Sequence, residues 1–275
     1  MPIRISRACI PIPFIEHSRL FDSHVMRPII TLMTDFGTID GYAGEMKGVL
    51  LSGVPNAEVV DITHDIPPQD VERARLVVAR VWRRFPEGTI HIVVVDPGVG
   101  SSRAALAVAS DGRYLLGPDN GVLSPALLSN SARVVDLPIA SHAAATFHGR
   151  DVFAPAAVAL ASGEHFDALG SEMRSPIIRR TPEPVRRADG VLDGEVVIVD
   201  RFGNAVTNLL GMRGGTIEVG AARIAVRRTY TEVDPGELVA VVGSTGFIEI
   251  AARDGNAAEM LQLSRGSPVA LRTSR

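Results

Sequence analysis

The feature that most constrains this chain is a change of period part-way along it. Up to about residue 175, short apolar runs alternate with segments whose apolar residues return every three to four positions. Residues 29–33, 57–62 and 89–95 read as strands. Between the first two, Tyr42, Met46, Val49 and Leu50 fall at helical spacing, and Pro55 ends that helix. Pro67-Pro68-Gln69-Asp70 then opens a longer helix that turns Val71, Val78, Val81 and Trp82 toward a core. Strands that are apolar almost throughout and alternate with helices predict a mostly parallel sheet with helices on both faces. Residues 104–109 and 114–116 read instead as a hairpin through Asp111-Gly112. A further helix is expected near residues 151–162, with Pro155 tolerated only in its first turn.

Residues 175–190 break the pattern with Pro176, Pro182, Pro184 and paired arginines, and read as a linker. Beyond it the helical period vanishes. Residues 195–199, 216–219, 222–226, 238–242, 247–251 and 269–271 are short strands with Gly-rich turns, the pattern of a small all-β barrel or sandwich. The expected organisation is an α/β N-terminal domain over residues 26–175, a linker over 176–190, and a smaller β domain over 191–275. A chain of 275 residues accommodates two such domains.

Residues 1–25 fit neither part. Their apolar run, residues 9–15, is broken by Pro11 and Pro13. That is too short for the core of a signal peptide and far from the roughly 18 apolar residues of a membrane span. The expectation is a disordered leader, or a start assigned too early with Met26 as the true one. The single cysteine, Cys9, lies here. One cysteine leaves no intramolecular disulfide and no thiolate cluster, and it suits a reducing cytoplasm. A net charge of −3 gives no basic footprint for nucleic acid. An aromatic content of 5% argues against a stacking platform for single strands. Neither a nucleic-acid nor a membrane partner is expected.

Ligands of open α/β sheets bind beyond the carboxyl ends of the strands. Two strands here end in carboxylates, Asp35 and Asp96, although a lone acid there can simply cap a turn. The turn Asp96-Pro97-Gly98-Val99-Gly100-Ser101-Ser102-Arg103 has Arg103 where a dinucleotide fingerprint needs Gly, and it lacks the Gly-Lys-Ser/Thr of a phosphate loop. Its glycines let the backbone approach something closely. Arg103 follows Asp96 by seven residues, so a turn can bring the two together, either as a structural ion pair or around a water or a ribose hydroxyl. His148, in Thr146-Phe147-His148-Gly149-Arg150-Asp151, precedes a helix beside a glycine. The other histidines show no metal spacing, and neither His-Glu-x-x-His nor Gly-x-Ser-x-Gly occurs. In the second domain, Asp200-Arg201-Phe202-Gly203-Asn204 sets an aromatic face among amide and carboxylate groups. That suits a planar polar ligand such as a nucleobase, or a plain hairpin with Gly203 at positive φ. Gly243-Ser244-Thr245-Gly246-Phe247 reads similarly.

Taken in order, Thr34-Asp35-Phe36-Gly37, the turn at residues 96–100, Pro118-Asp119-Asn120-Gly121, Phe147-His148-Gly149-Arg150-Asp151 and Phe202-Gly203-Asn204 resemble the S-adenosylmethionine hydroxide adenosyltransferases. That family also contains the fluorinase and chlorinase, and the similarity runs from about Arg27 to the C-terminus. The resemblance implies a homotrimer whose substrate lies between the N-terminal domain of one subunit and the β domain of its neighbour. It implies a catalytic Asp96–Arg103–His148 triad and a ribose-binding Asp35. Asp200, Phe202, Asn204 and Ser244 would surround the adenine and methionine ends, with Asp40, Phe247 and Glu249 as further substrate contacts. The implied activity is cofactor-free, metal-independent hydrolysis of S-adenosylmethionine to adenosine and methionine. Thr245 and Tyr42 depart from the halogenating relatives, which have Arg and Ser there. Arg113 follows Arg103 by only ten residues, leaving no space for the fluorinase's extra loop. Two other readings stay open: a halide as nucleophile, and a non-catalytic adenosine or S-adenosylmethionine sensor.

Overall fold

A computed structural model describes residues 27–211 and 214–273; the leader lies outside the described residues. The first part is a sheet of seven strands: β1 (Ile29–Thr34), β2 (Glu58–Thr63), β3 (Ile90–Val94), β4 (Ala105–Ser110), β5 (Arg113–Pro118), β6 (Arg133–Asp136) and β7 (Ser171–Glu172). Their order is β2-β1-β3-β5-β4-β6-β7. β2, β1, β3 and β5 run parallel, whereas β4, β6 and β7 pair antiparallel. The reversal begins at the hairpin. Asp111 and Gly112 both have positive φ, 44° and 72°, as a two-residue turn between twisted strands demands. A parallel connection would need a crossover of a dozen residues or more.

Four helices cover this sheet: α1 (Tyr42–Gly53), α2 (Val71–Val81), the short α3 (Ser124–Leu127) and α4 (Ala154–Ala161). Successive strand residues point to opposite faces. Leu32 and Ile92 therefore pack with Met46, Leu50 and Phe153 under α1 and α4. Met33 and Val93 pack with Val78 and Trp82 of the α2 side. Burial on both faces is why these strands read as nearly continuous apolar runs. Asp70 caps α2, accepting from the Arg73 N–H at 2.9 Å. Pro155 does sit in the first turn of α4, but a π-helical turn, Gly149–Phe153, leads into it. The wider turn falls just before the residue that has no N–H to give to an α ladder.

The second part holds β8 (Val185–Arg186), β9 (Leu192–Val199), β10 (Ala205–Leu210), β11 (Thr216–Val219), β12 (Ala222–Arg227), β13 (Leu238–Val242), β14 (Phe247–Ala252), α5 (Ala257–Met260) and β15 (Pro268–Arg272). The order β10-β14-β13-β12-β11-β15-β9 closes through a β9–β10 pairing, with β8 added outside β9. The result is a seven-stranded barrel around Val196, Leu209, Ile217, Ile248, Ile250 and Leu271. β10 is absent from the strands read in the sequence, because Thr207 and Asn208 make it look polar. Both are buried, and both are satisfied by backbone. Thr207 donates to the Ile248 carbonyl at 2.8 Å, and Asn208 bonds the Pro182 carbonyl at 2.9 Å and the Glu195 N–H at 2.8 Å.

The two parts are tied together at the start of α2. Arg73 Nη2 donates to the Val199 carbonyl at 2.7 Å, and Arg265 Nη2 reaches Asp70 Oδ2 at 2.6 Å. The proline-rich segment between them is docked. Ile177 N–H donates to Asp119 at 2.7 Å, Arg179 N–H to Ser124 Oγ at 2.8 Å, and Arg75 to Thr181 Oγ1 at 2.9 Å.

Candidate active site

β1 and β3 are neighbours, with Thr34 opposite Val94. The residues that follow them, Asp35 and Asp96, therefore emerge on one rim, where the parallel sheet offers its ligand crevice. A cleft of about 410 Å³ lies there, bordered by Asp35, Phe36, Tyr42, Asp96, Phe147 and His148. Arg103 stands behind Asp96. Its Nε donates to Asp96 Oδ1 at 3.0 Å and its Nη2 to Asp96 Oδ2, while Nη1 reaches the Ala104 carbonyl at 3.2 Å. Nη2 also lies 2.9 Å from His148 Nδ1. The Arg103 and Asp96 side chains are only 10% and 5% exposed, so this fork is held away from water.

The turns around it explain how. Gly100 has φ 75°, and a Cβ there would strike the Ala145 carbonyl. The turn thus packs against the segment that delivers His148. Asn120 Nδ2 donates to the Val95 carbonyl at 2.9 Å, pinning the backbone just before Asp96.

A guanidinium can only donate, so His148 Nδ1 accepts, and the neutral ring carries its proton on Nε2. Burial above all, and then the Arg103 charge, pushes the His148 pKa below its ordinary value, against the opposing pull of Asp96 and Asp151. The imidazole is neutral near pH 7 and offers an N–H.

Asp35 Oδ2 accepts from the Gln69 N–H at 2.7 Å, and Gln69 adopts a left-handed φ of 66° to make the bond. The other Asp35 oxygen has no protein partner among the described residues. Beneath this turn, Thr34 Oγ1 lies 2.8 Å from His64 Nδ1 and accepts from the Phe36 N–H at 3.2 Å. His64 Nε2 comes within 3.1 Å of Asp61, which also pairs with Lys47. On the cleft side, the rings of Phe36, Tyr42 and Phe147 meet edge to face at 5.9, 5.8 and 5.5 Å between centroids. Such ring faces attract a cation.

Asp200, Phe202, Asn204, Ser244 and Glu249 border a second cleft, of about 370 Å³, together with Arg80 and Tyr230. Phe247 borders an adjoining groove of about 560 Å³ with Ser244 and Glu249. Asp200 accepts from the Phe202 and Asn204 N–H groups at 2.9 Å and from Asn204 Nδ2 at 3.0 Å. Gly203 has φ 81° between them. The hairpin is real, and it holds the Phe202 ring outward, 75% exposed. Burial and the nearby Asp200 raise the Glu249 pKa, and Tyr230 Oη donates to Glu249 at 3.3 Å.

The structure therefore gathers Asp35, Asp96 and His148 at one cleft, with Arg103 bonded to Asp96 and His148 behind it. It gathers Asp200, Phe202, Asn204, Ser244, Phe247 and Glu249 around the other. Among the described residues none borders both. Asp40 is exposed and borders neither. No group of three or more His, Cys, Asp or Glu side chains among the described residues is arranged to hold a metal ion. No helix among them is long and apolar enough to cross a membrane.

Residues 30–170 match the family model of the SAM hydroxide adenosyltransferase N-terminal domain, and residues 194–270 match that of the C-terminal domain. The chain belongs to the SAM hydroxide adenosyltransferase family. An (R)-S-adenosyl-L-methionine hydrolase from Thermus thermophilus is 42% identical over 259 residues, covering 90% of this chain and all of the relative. A fluorinase from Nocardia brasiliensis is more distant, at 28% identity over 88% of this chain and 96% of its own length. A crystal structure of a conserved protein from Thermotoga maritima superposes with a TM-score of 0.80 at 33% identity, covering 88% of this chain and 99% of that one.

The aromatic trio of Phe36, Tyr42 and Phe147 is not evident from the sequence. Phe36 and Phe147 stand inside motifs whose charged residues dominate, and Tyr42 reads as an apolar residue of a helix and as a departure from the halogenating relatives. A signal existed, since each motif sets an aromatic beside the carboxylate or imidazole in a chain that is only 5% aromatic. Gln69 and Arg80 carried none. Each reaches its cleft through tertiary docking of α2 and the turn before it.

Proposed function

We propose that this protein hydrolyses S-adenosylmethionine to adenosine and methionine by in-line attack of water at C5′. The observation that carries the reading is the Asp96–Arg103–His148 constellation on the same rim as Asp35. Attack forms the C5′–O bond as the C5′–S bond breaks, and the electron pair leaves with sulfur as a neutral thioether. Departure discharges the sulfonium, so the reaction calls for no acid at sulfur, no Lewis acid and no cofactor. Water is the poor reactant, and the site acts on it. His148, with Nδ1 committed to Arg103, offers Nε2–H to fix the water oxygen. Asp96 is then the group that accepts the proton and passes it to solvent. Holding the water in line supplies part of the rate by itself.

Asp35 would take the ribose hydroxyls, and the aromatic trio would face the sulfonium. Phe202 would pack on the adenine, with Asn204 hydrogen-bonding it. The two clefts stand apart within one chain, which supports a homotrimer with each site between an N-terminal domain (26–175) and a neighbour's β domain (191–275). The (R) sulfonium epimer is the expected substrate, because the 42%-identical relative carries that name. A cytoplasmic location completes the proposal, supported by the cysteine usage.

The test is incubation with S-adenosylmethionine, with and without chloride, followed by chromatography. Adenosine and methionine should appear in equal amounts whatever the chloride concentration. No adenosine at high enzyme concentration would overturn the reading. A chlorinated adenosine growing with chloride would replace water by halide as the nucleophile.

The pH profile should carry the His148 signature. The imidazole acts neutral and its pKa is depressed, so activity is present above that pKa and lost as pH falls through it. The acid limb of kcat should lie below the ordinary imidazole value of about 6.5, and it should vanish in His148→Gln. A limb that persists in that variant removes His148 from the titration.

A further inference from the structure

On this reading the substrate ends in an amino acid, and its α-carboxylate and α-ammonium both need partners. We propose that Arg80 binds the substrate's α-carboxylate. Arg80 lies in the last turn of α2 and borders both the cleft of Asp200 and Asn204 and the groove of Thr245 and Phe247. The Ser244-Thr245 turn sits where the two meet. It offers hydroxyls and no charge, so a guanidinium must come from elsewhere in the fold.

The other arginines of this region are largely spent. Arg73, Arg75 and Arg83 each meet a carboxylate, on Asp70, Glu72 and Asp111 respectively. Arg80 has no carboxylate within 4.0 Å among the described residues. Arg84 borders only the groove, and Arg228 only the cleft. Among the described residues Arg80 is the cation common to both. A guanidinium fork matches a carboxylate bidentately, which an ammonium cannot do.

The opposite charge is also placed. Asp200 and Glu249 border the same cleft and suit the α-ammonium. Arg80 is near enough to Glu249 to act on its ionisation, pulling down a pKa that burial raises. The cleft thus presents one sign for each end of a zwitterion. The docking of α2 on the barrel, where Arg73 holds the Val199 carbonyl just before Asp200, thereby gains a use. The helix that closes the seam between the two parts brings the carboxylate reader with it.

The test compares S-adenosylmethionine with its decarboxylated analogue in the wild type, Arg80→Ala, Arg80→Lys and Arg228→Ala. Arg80→Ala should raise KM for S-adenosylmethionine about 10- to 100-fold, with a much smaller change in kcat. It should leave KM for the decarboxylated analogue nearly unchanged, so the preference between the two collapses. Arg80→Lys should recover part of that preference. An Arg80→Ala loss that is equal for both substrates, or a collapse caused by Arg228→Ala instead, overturns the assignment. If the wild type turns over neither substrate, the hydrolase reading fails. The same comparison made on calorimetric dissociation constants then still decides Arg80.

Discussion

Replacing Asp96 with asparagine should lower kcat by about 10²- to 10⁴-fold, the usual worth of a positioned proton acceptor. Adenosine binding should hardly change. The amide keeps the shape of the carboxylate and one acceptor for Arg103, but it cannot take the proton of the attacking water. The substitution has a second effect that must be separated from the first. Arg103 is nearly buried, and neutralising its partner leaves a guanidinium without a countercharge, held by one amide oxygen, the Ala104 carbonyl and His148 Nδ1. Breaking such a pair costs about 3–5 kcal/mol of stability. Rates should therefore be measured well below the lowered Tm, with circular dichroism confirming the fold and adenosine titration confirming the site. Turnover equal to wild type under those conditions would remove Asp96 from the mechanism.

Asp96 was reachable from the sequence because its signal is local. A β-rich run ending in Asp-Pro-Gly, inside a strand–helix alternation, places a carboxylate on the ligand rim, and a seven-residue spacing brings Arg103 back to it. The link from Arg103 to His148 spans 45 residues. No period or turn rule reaches that far, so only the family resemblance joined them. Polarity misled where burial was satisfied by backbone, as in β10. Charge gives no guide in α2, where Arg73, Arg75 and Arg80 look alike in the sequence and only the folded chain shows Arg80 without a carboxylate within 4.0 Å among the described residues. The aromatic trio shows the same limit. Phe147 is far along the chain from Phe36 and Tyr42, and their shared face exists only once α1 and the segment after residue 144 have packed together.

Mixing two inactive variants should restore activity. Asp96→Asn disables the cleft at the sheet, and the double variant Phe202→Ala/Asn204→Ala disables the cleft at the barrel. Each alone should sit near background. If every site takes one cleft from each of two adjacent copies in a closed ring, random co-assembly at equal amounts leaves both clefts intact in about a quarter of the sites. Activity should return to about a quarter of the wild-type value. Two observations favour that outcome over a site within one chain. The clefts share no bordering residue among those described. Large apolar side chains are also turned to solvent: Ile39, at 94% exposure, in the segment between Phe36 and Tyr42 of the first cleft, and Phe202, at 75%, on the border of the second. An isolated chain leaves such residues unpartnered, whereas two copies placed cleft to cleft would cover both. Co-expressed chains carrying different tags let the mixed assembly be purified and its mass checked by light scattering. A verified mixed assembly with no activity above the two parents would place the whole reaction within a single chain.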